Sequence, residues 1–215
     1  MASSYLVSKH RLEALADGIY AIALTLLVLD LKLPPIDRPS PAAIGAALLD
    51  LVPKGLVWLL SFWIMAMFWL AQQRALRHFA VLDRPALRIE LLQLALVSLL
   101  PFSSALVGEH GDIVACAFLY SAHLFLLALT SLLRLVRLRR NATLQAADFD
   151  ARAARAQSLR AAAIAGCALL SAAGAFVAPP RNMLVMLLLL LVPSAREETS
   201  AKPGSANERT PKDER

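Results

Sequence analysis

Apolar positions along the chain fall into six uncharged runs, residues 18–29, 55–73, 91–108, 113–133, 161–180 and 182–195, separated by short charged stretches. The second to fifth are 18 to 21 residues long. A helix rising about 1.5 Å per residue needs roughly 20 residues to cross a hydrocarbon core of about 30 Å. The first and last runs are shorter and bracketed by charge, Asp17 and Asp30 around one, Arg181 and Arg196 around the other. Each can span only with its charged ends at the interface or against protein. The pattern predicts an all-α integral membrane protein with six transmembrane helices, at approximately 14–33, 53–73, 88–108, 112–135, 159–179 and 181–195, in one domain over residues 1–195. Lys9 and Arg11 before the first run resemble the start of a signal peptide, but Asp17 intrudes and residues 31–35 offer no small-x-small cleavage site, so the run reads as a retained helix.

Between the runs, residues 34–52 are proline-rich and weakly polar, and Pro34-Pro35 cannot continue the first helix. Residues 139–160 mix Arg, Ala, Gln and Asp in a helix-compatible way, so the fifth span is expected to begin as a helical extension outside the membrane. Residues 196–215, rich in Glu, Ser, Lys and Pro, have little to bury and are predicted to be a disordered tail.

Composition agrees with lipid as the main solvent: 58% hydrophobic, 18% charged, mean hydropathy +0.59, against about 45–50% apolar and about 25% charged in soluble domains. Cys116 and Cys167 both lie inside apolar runs and read as small fillers, without disulfide or zinc spacing. The net charge of +6 is a matter of sidedness. Of the 22 Lys and Arg, 18 fall at the N-terminus, between spans two and three, between spans four and five, and at the C-terminus; Lys32, Arg38, Lys54 and Arg181 are on the other side. The positive-inside rule therefore predicts both termini in the cytoplasm. No aromatic interleaving or binding fold accompanies the charge, so no nucleic-acid partner is expected.

The first helix stands apart because acidic residues close both ends of a short run. On helical spacing Gly18, Ile22, Thr25, Leu26 and Leu29 form one stripe, whereas Asp17, Tyr20, Leu24, Leu27 and Leu31 fall on another face. An unpaired intramembrane carboxylate costs at least about 2.5 kcal/mol, so Asp17 is expected to seek an arginine, with Arg11, Arg74 and Arg77 as candidates. Periodicity alone leaves the Ile22 stripe open to an ordinary reading as a packing face.

Residues 11–29 resemble the first helix of the transmembrane protein 175 family, potassium channels of lysosomes and, as single-repeat relatives, of prokaryotes. The family signature R-x-x-x-F-S-D aligns without gaps on Arg11, Leu15, Ala16 and Asp17; Arg and Asp match, Phe is replaced by Leu15 and Ser by Ala16. The similarity continues through Ser61-Phe62, Trp69 and Leu100-Pro101-Phe102-Ser103-Ser104, over most of residues 9–135. Gln72 stands where the family usually has a histidine three residues after the tryptophan. These departures fall on the polar signature network of Arg11, Asp17 and that histidine. The chain is identified as a divergent single-repeat member.

The resemblance implies a homotetramer in which the first helix of each chain lines a central pore. It implies Ile22 as the narrow apolar constriction, Leu26 and Leu29 as further apolar layers, and Thr25 as a residue of cation selectivity. These are the stripe residues. A ring of apolar side chains closes a pore by dewetting. No Thr-Val-Gly-Tyr-Gly loop is present, so K⁺ preference over Na⁺ would rest on the easier dehydration of the larger ion and be modest. Asp30 and Asp37 lie near the outer mouth, where they either concentrate cations or are solvated loop charges.

Other polar residues read as structural. His123, beside Tyr120 and Ser121 in the fourth span, is expected to bond a neighbouring helix rather than relay protons. Glu109, His110 and Asp112 form a polar turn between Gly108 and Gly111 rather than a metal site. Trp58, Trp63 and Trp69 are expected to pack and anchor. Phosphate-loop, dinucleotide, nucleophile-elbow and H-E-x-x-H motifs are absent from the sequence, which disfavours a pump or protease. The expected function is a K⁺-preferring cation channel in the cytoplasmic membrane of a prokaryote, with no enzyme activity, no cofactor, and K⁺ as the permeant ion. Two alternatives remain: a proton-coupled secondary transporter using Asp17 and His123, and a non-conducting membrane assembly protein.

Overall fold

The computed structural model describes residues 8–177. The predicted sixth span at 181–195 and the tail at 196–215 lie outside the described residues. Among the described residues six α-helices follow in order: α1 (Lys9–Leu26), α2 (Pro41–Asp50), α3 (Val52–Arg77), α4 (Arg84–His110), α5 (Val114–Arg140) and α6 (Ala151–Gly174). A 3₁₀ turn, Leu27–Asp30, extends α1, and another, Ala142–Leu144, follows α5. By length and composition α1 with its 3₁₀ turn, α3, α4, α5 and α6 can each cross a membrane. This is an all-α, multi-span membrane fold.

The helices outrun the apolar runs because capping and charge, not hydrophobicity, set their ends. Ser8 caps α1 by accepting from the Arg11 amide, so the helix starts among the charges of residues 9–13. Asp83 accepts from Ala86 N at 2.9 Å and Pro85 occupies the first turn of α4, where its missing N–H costs nothing. Asp150 caps α6 in the same way, 2.8 Å from Arg152 N, so the fifth span does begin as a charged helical extension. The C-terminal turns of α3 and α5 carry Arg74 and Arg77, and Arg137, Arg139 and Arg140, facing the negative end of the helix dipole. Residues 34–52, read from the sequence as a proline-rich loop, instead contain α2. Ser40 accepts from Ala43 N at 3.1 Å with Pro41 behind it, and the Ala-rich segment that follows is a good helix former.

Contacts fix alternating directions for the long helices. Asp83 before α4 meets Arg137 at the end of α5, and Lys54 at the start of α3 meets Glu109 at the end of α4. One end of the bundle thus collects the arginines between α3 and α4 and between α5 and α6. There the two connections pair with each other: Ala80 N donates to Leu144 O and Ala146 N to His78 O, both at 2.8 Å. Lys9 Nζ adds a bond to the Phe79 carbonyl at 3.0 Å.

Helix α5 is the centre of the bundle, burying Leu124, Leu127, Leu135 and Leu138 against α4 and α6. Its contact with α6 is made by small side chains, Ala154, Ala161, Ala165, Ala168 and Ala172, which let the two backbones come close. Large apolar side chains on the perimeter, among them Leu59, Leu92, Leu99, Leu126 and Leu170, are exposed as a lipid-facing surface requires.

The ion pair at the arginine-rich end gives a pH dependence. Arg137 donates from Nε to Asp83 Oδ1 at 3.2 Å and from Nη2 to Oδ2. This bond, with the Ala86 amide, holds the Asp83 carboxyl below its ordinary value despite partial desolvation. A carboxylate depressed in the folded state stabilises fully above its unfolded pKa of about 3.9 and loses that contribution as pH falls through the folded value. Asp83→Asn keeps a capping side chain but not the charge. It is expected to lower stability near neutral pH and to flatten the acid limb below about pH 4, as read by thermal unfolding across pH.

Candidate functional site

Helix α1 is engaged on one side only. Leu12, Ala16, Tyr20, Ala23 and Leu27 lie at helical spacing and are 1–2% exposed, packed on α3 and α4. On the opposite side Ile22 is 61% exposed, Leu26 41% and Leu29 57%, with Gly18 and Thr25 exposed between and beside them. The stripe read from periodicity is therefore the face that this chain leaves uncovered. Leu29 sits in the 3₁₀ turn rather than in α1 itself, because the helix tightens from Leu27 before the Pro34-Pro35 pair.

Thr25 is oriented by its own backbone. Its Oγ1 donates to the Ile22 carbonyl at 2.8 Å, which uses the hydroxyl hydrogen and leaves the oxygen lone pairs for other partners. On an exposed face that oxygen can only accept.

Asp17 does not meet an arginine. Its Oδ1 accepts from Trp69 Nε1 at 2.9 Å and from Gln73 Nε2, both on α3. The two neutral donors satisfy the carboxylate where the sequence pointed to Arg11, Arg74 or Arg77. The Arg11 side chain is exposed and makes no ion pair among the described residues. Trp69 thus has a polar task in addition to its packing.

Gln72, at the position of the family histidine, belongs to a different cluster. Its Nε2 donates to Glu90 Oε2 at 3.2 Å, and Arg134 Nη1 reaches both Glu90 oxygens at 3.1 and 3.2 Å. Glu90 is fully buried and Arg134 is 1% exposed. One turn further along, Gln93 Oε1 accepts from Thr130 and, at 3.3 Å, from Ser131. The sequence carried a signal for this pair, since Glu90 is the charge that delays the third run and Arg134 the charge that ends the fourth. Consecutive antiparallel spans bring those two ends together. Counting Arg134 among flanking charges concealed it.

The polar seam continues along α4 and α5. His123 Nε2 donates to the Leu96 carbonyl at 2.9 Å and Nδ1 lies 2.7 Å from the Ser103 hydroxyl, so both ring nitrogens bond the neighbouring helix. Ser104 donates to Ser61 at 2.8 Å, and Ser61 pairs with the Tyr120 hydroxyl at 2.8 Å, joining α3, α4 and α5. Such bonds between membrane helices average about 0.6 kcal/mol each; together they fix the register of three helices. At the far end of the bundle Asp30 shares a small recess with Lys54, Trp58, Ser104 and Glu109. Lys54 Nζ lies 3.8 Å from Glu109 Oε1, and Asp37 is exposed in the following loop. Glu109 and His110 lead into a tight turn in which a Cβ on Gly111 would stand 2.7 Å from the Val107 carbonyl, so glycine is required there.

Comparison with known proteins places this arrangement. Residues 11–101 match the family described as endosomal/lysosomal potassium channel TMEM175. A protein of Streptomyces collinus named a potassium channel is 32% identical over 157 residues, covering 70% of this chain and 74% of the relative. Another so named, from Chamaesiphon minutus, is 36% identical over 100 residues, 46% of this chain and 49% of the relative. The crystal structure of a homolog, from Chamaesiphon minutus, of the lysosomal potassium-selective channel TMEM175 superposes with a TM-score of 0.74 at 26% identity. It covers 86% of this chain and 95% of its own. The signature helix, the alternating spans and a relative matched over most of its length agree: the chain belongs to the TMEM175 family.

Proposed function

We propose that the protein is a K⁺-preferring cation channel, a homotetramer in the cytoplasmic membrane of a prokaryote with both termini cytoplasmic, in which α1 of each chain lines a central pore. The observation that carries this reading is the division of α1 into a buried face and an uncovered face holding Ile22, Thr25, Leu26 and Leu29. One chain carries a single α1, too few to ring a pore, so several chains must contribute the stripe. Family membership supports four, and the two bacterial relatives named as potassium channels support K⁺ as the permeant ion.

Ile22 forms the constriction in this account, with Leu26 and Leu29 as apolar layers on the outer side. A ring of isoleucines excludes water when narrow and passes a partly dehydrated cation when slightly wider. K⁺ sheds water more readily than Na⁺, and the accepting oxygen of Thr25 replaces part of what it sheds. Asp17, with Arg11 on the same end of the helix, fixes the inner end of α1 through Trp69 and Gln73. No cofactor is called for; the partners are the bilayer, three further copies of the chain and K⁺ itself.

Thr25→Val preserves shape and removes the oxygen. It is expected to lower the K⁺ to Na⁺ permeability ratio while leaving K⁺ conductance within about a factor of two, since selectivity and the dewetting barrier reside in different groups. Reversal potentials under bi-ionic conditions read the change.

The proton-coupled transporter is less well supported, because His123 has both nitrogens committed to α4 and Asp17 is held by two neutral donors. Cation flux from liposomes containing the purified protein separates the readings. Passive flux larger for K⁺ than for Na⁺, and absent with an impermeant cation, is the expected result. Saturable flux driven by a proton gradient would favour the transporter, and tetramers without flux would favour an assembly protein.

A further inference from the structure

The Glu90–Arg134 pair is surrounded by polar atoms that the protein does not satisfy. Tyr20 Oη, Gln72 Oε1, Gln93 Nε2, and Arg134 Nε and Nη2 are all buried without a hydrogen-bond partner. Their four residues are each no more than 1% exposed and come one apiece from α1, α3, α4 and α5. Glu90 ties Gln72 to Arg134, and the Tyr20 hydroxyl faces the Gln93 amide, with Arg134 and Glu90 close by. Native cores leave only a few such groups per hundred residues, so five in and beside one ion pair mark a place where something else completes the bonding.

The donor set identifies its chemistry. Arg134 Nε, Arg134 Nη2 and Gln93 Nε2 only donate, Gln72 Oε1 only accepts, and the Tyr20 hydroxyl does either. An anion could accept from the first three but could not donate to Gln72, and it would add a negative charge to a pair that is already neutral. A metal ion would face N–H groups. Water both accepts and donates, and buried waters typically make about three hydrogen bonds to groups of this kind.

We propose that the polar cluster of Tyr20, Gln72, Gln93 and Arg134 is a hydration site, and that through its water the Glu90–Arg134 pair positions α1. Tyr20 is the contact on the pore helix. It lies on the buried face two residues before Ile22, so the rotation of α1 that aims the constriction is set partly by what its hydroxyl bonds. Tyr20 is a positioning residue that never touches the ion. This second half rests on the channel reading; the hydration site does not.

The site is tested on the intact protein by a density map that resolves ordered waters, with a matched data set in bromide. Density within hydrogen-bond reach of Arg134 and Gln93 but without a bromide signal is expected. Side chains closed directly on one another, or a bromide peak, would overturn it. The coupling is tested by K⁺ and Na⁺ flux. Tyr20→Phe is expected to change the flux or the ion ratio by at least about twofold, the smallest coupling ordinarily seen within one network. In a Glu90→Met/Arg134→Met background, or in Gln93→Leu if that pair fails to fold, the same substitution is expected to have no further effect. An equal effect of Tyr20→Phe in both backgrounds would overturn the coupling. Wild-type protein without flux would overturn the channel reading and the coupling with it, while the map still decides the hydration site.

Discussion

Ile22→Asn is expected to raise K⁺ conductance by about tenfold or more and to lower the preference for K⁺ over Na⁺. Each tenfold in rate corresponds to about 1.4 kcal/mol of barrier, and the barrier at an apolar ring is the cost of dewetting and of stripping water from the ion. Asparagine brings an amide that both donates and accepts, so the narrowest ring stays hydrated and ions pass with more of their shell. Sodium then loses its disadvantage. The substitution leaves the core untouched, since Ile22 is among the most exposed large residues of α1, so oligomer yield and melting temperature should stay near those of the wild type. Single-channel recording with bi-ionic reversal potentials checks both parts. Unchanged selectivity in this variant would remove Ile22 from the constriction.

The second large effect is on stability. Arg134→Ala leaves the Glu90 carboxylate in the bundle interior with only the Gln72 amide as a partner. Breaking a buried pair from one side costs about 3–5 kcal/mol, and of the unsatisfied atoms near the pair only Tyr20 Oη, Gln72 Oε1 and Gln93 Nε2 would remain, none of them bonded to Glu90. Replacing both partners by methionine removes the desolvation penalty together with the attraction and is expected to be near neutral. Unfolding in detergent, followed by tryptophan fluorescence, should therefore rank wild type and the double variant together and Arg134→Ala well below them. A single variant as stable as the wild type would mean that the pair is not isolated from water.

What could be read from the sequence follows from which physics leaves a one-dimensional trace. Apolar runs register lipid exposure directly, so the long spans were legible. The α1 stripe was legible because Ile22, Thr25, Leu26 and Leu29 recur at helical spacing, although only the folded chain distinguishes an uncovered face from a packing face. Helix ends were less legible, since Ser8, Asp83 and Asp150 set them by capping rather than by hydropathy. Helix α2 was hidden by Pro34, Pro35 and Pro41, the last of which starts a helix as readily as it breaks one.

Partner choice was the least legible. A search for a cation to neutralise Asp17 passes over Trp69 and Gln73, because an indole and an amide carry no charge to attract attention. Arg134 was read as one of many flanking arginines, although helix direction places it on Glu90. Both errors treat charge as a local property of the sequence, whereas in a bundle it is assigned by the register between helices.

The central claim is that the uncovered face of α1 lines the ion path, and cysteine accessibility tests it most directly. With Cys116 and Cys167 replaced by alanine, Leu29→Cys places a thiol on the stripe and Leu99→Cys places one on the exposed perimeter of α4. A water-soluble, positively charged thiol reagent is expected to abolish K⁺ flux through the Leu29→Cys protein and to leave the Leu99→Cys protein conducting. Flux insensitive to the reagent at Leu29→Cys, or lost equally at Leu99→Cys, would contradict the account.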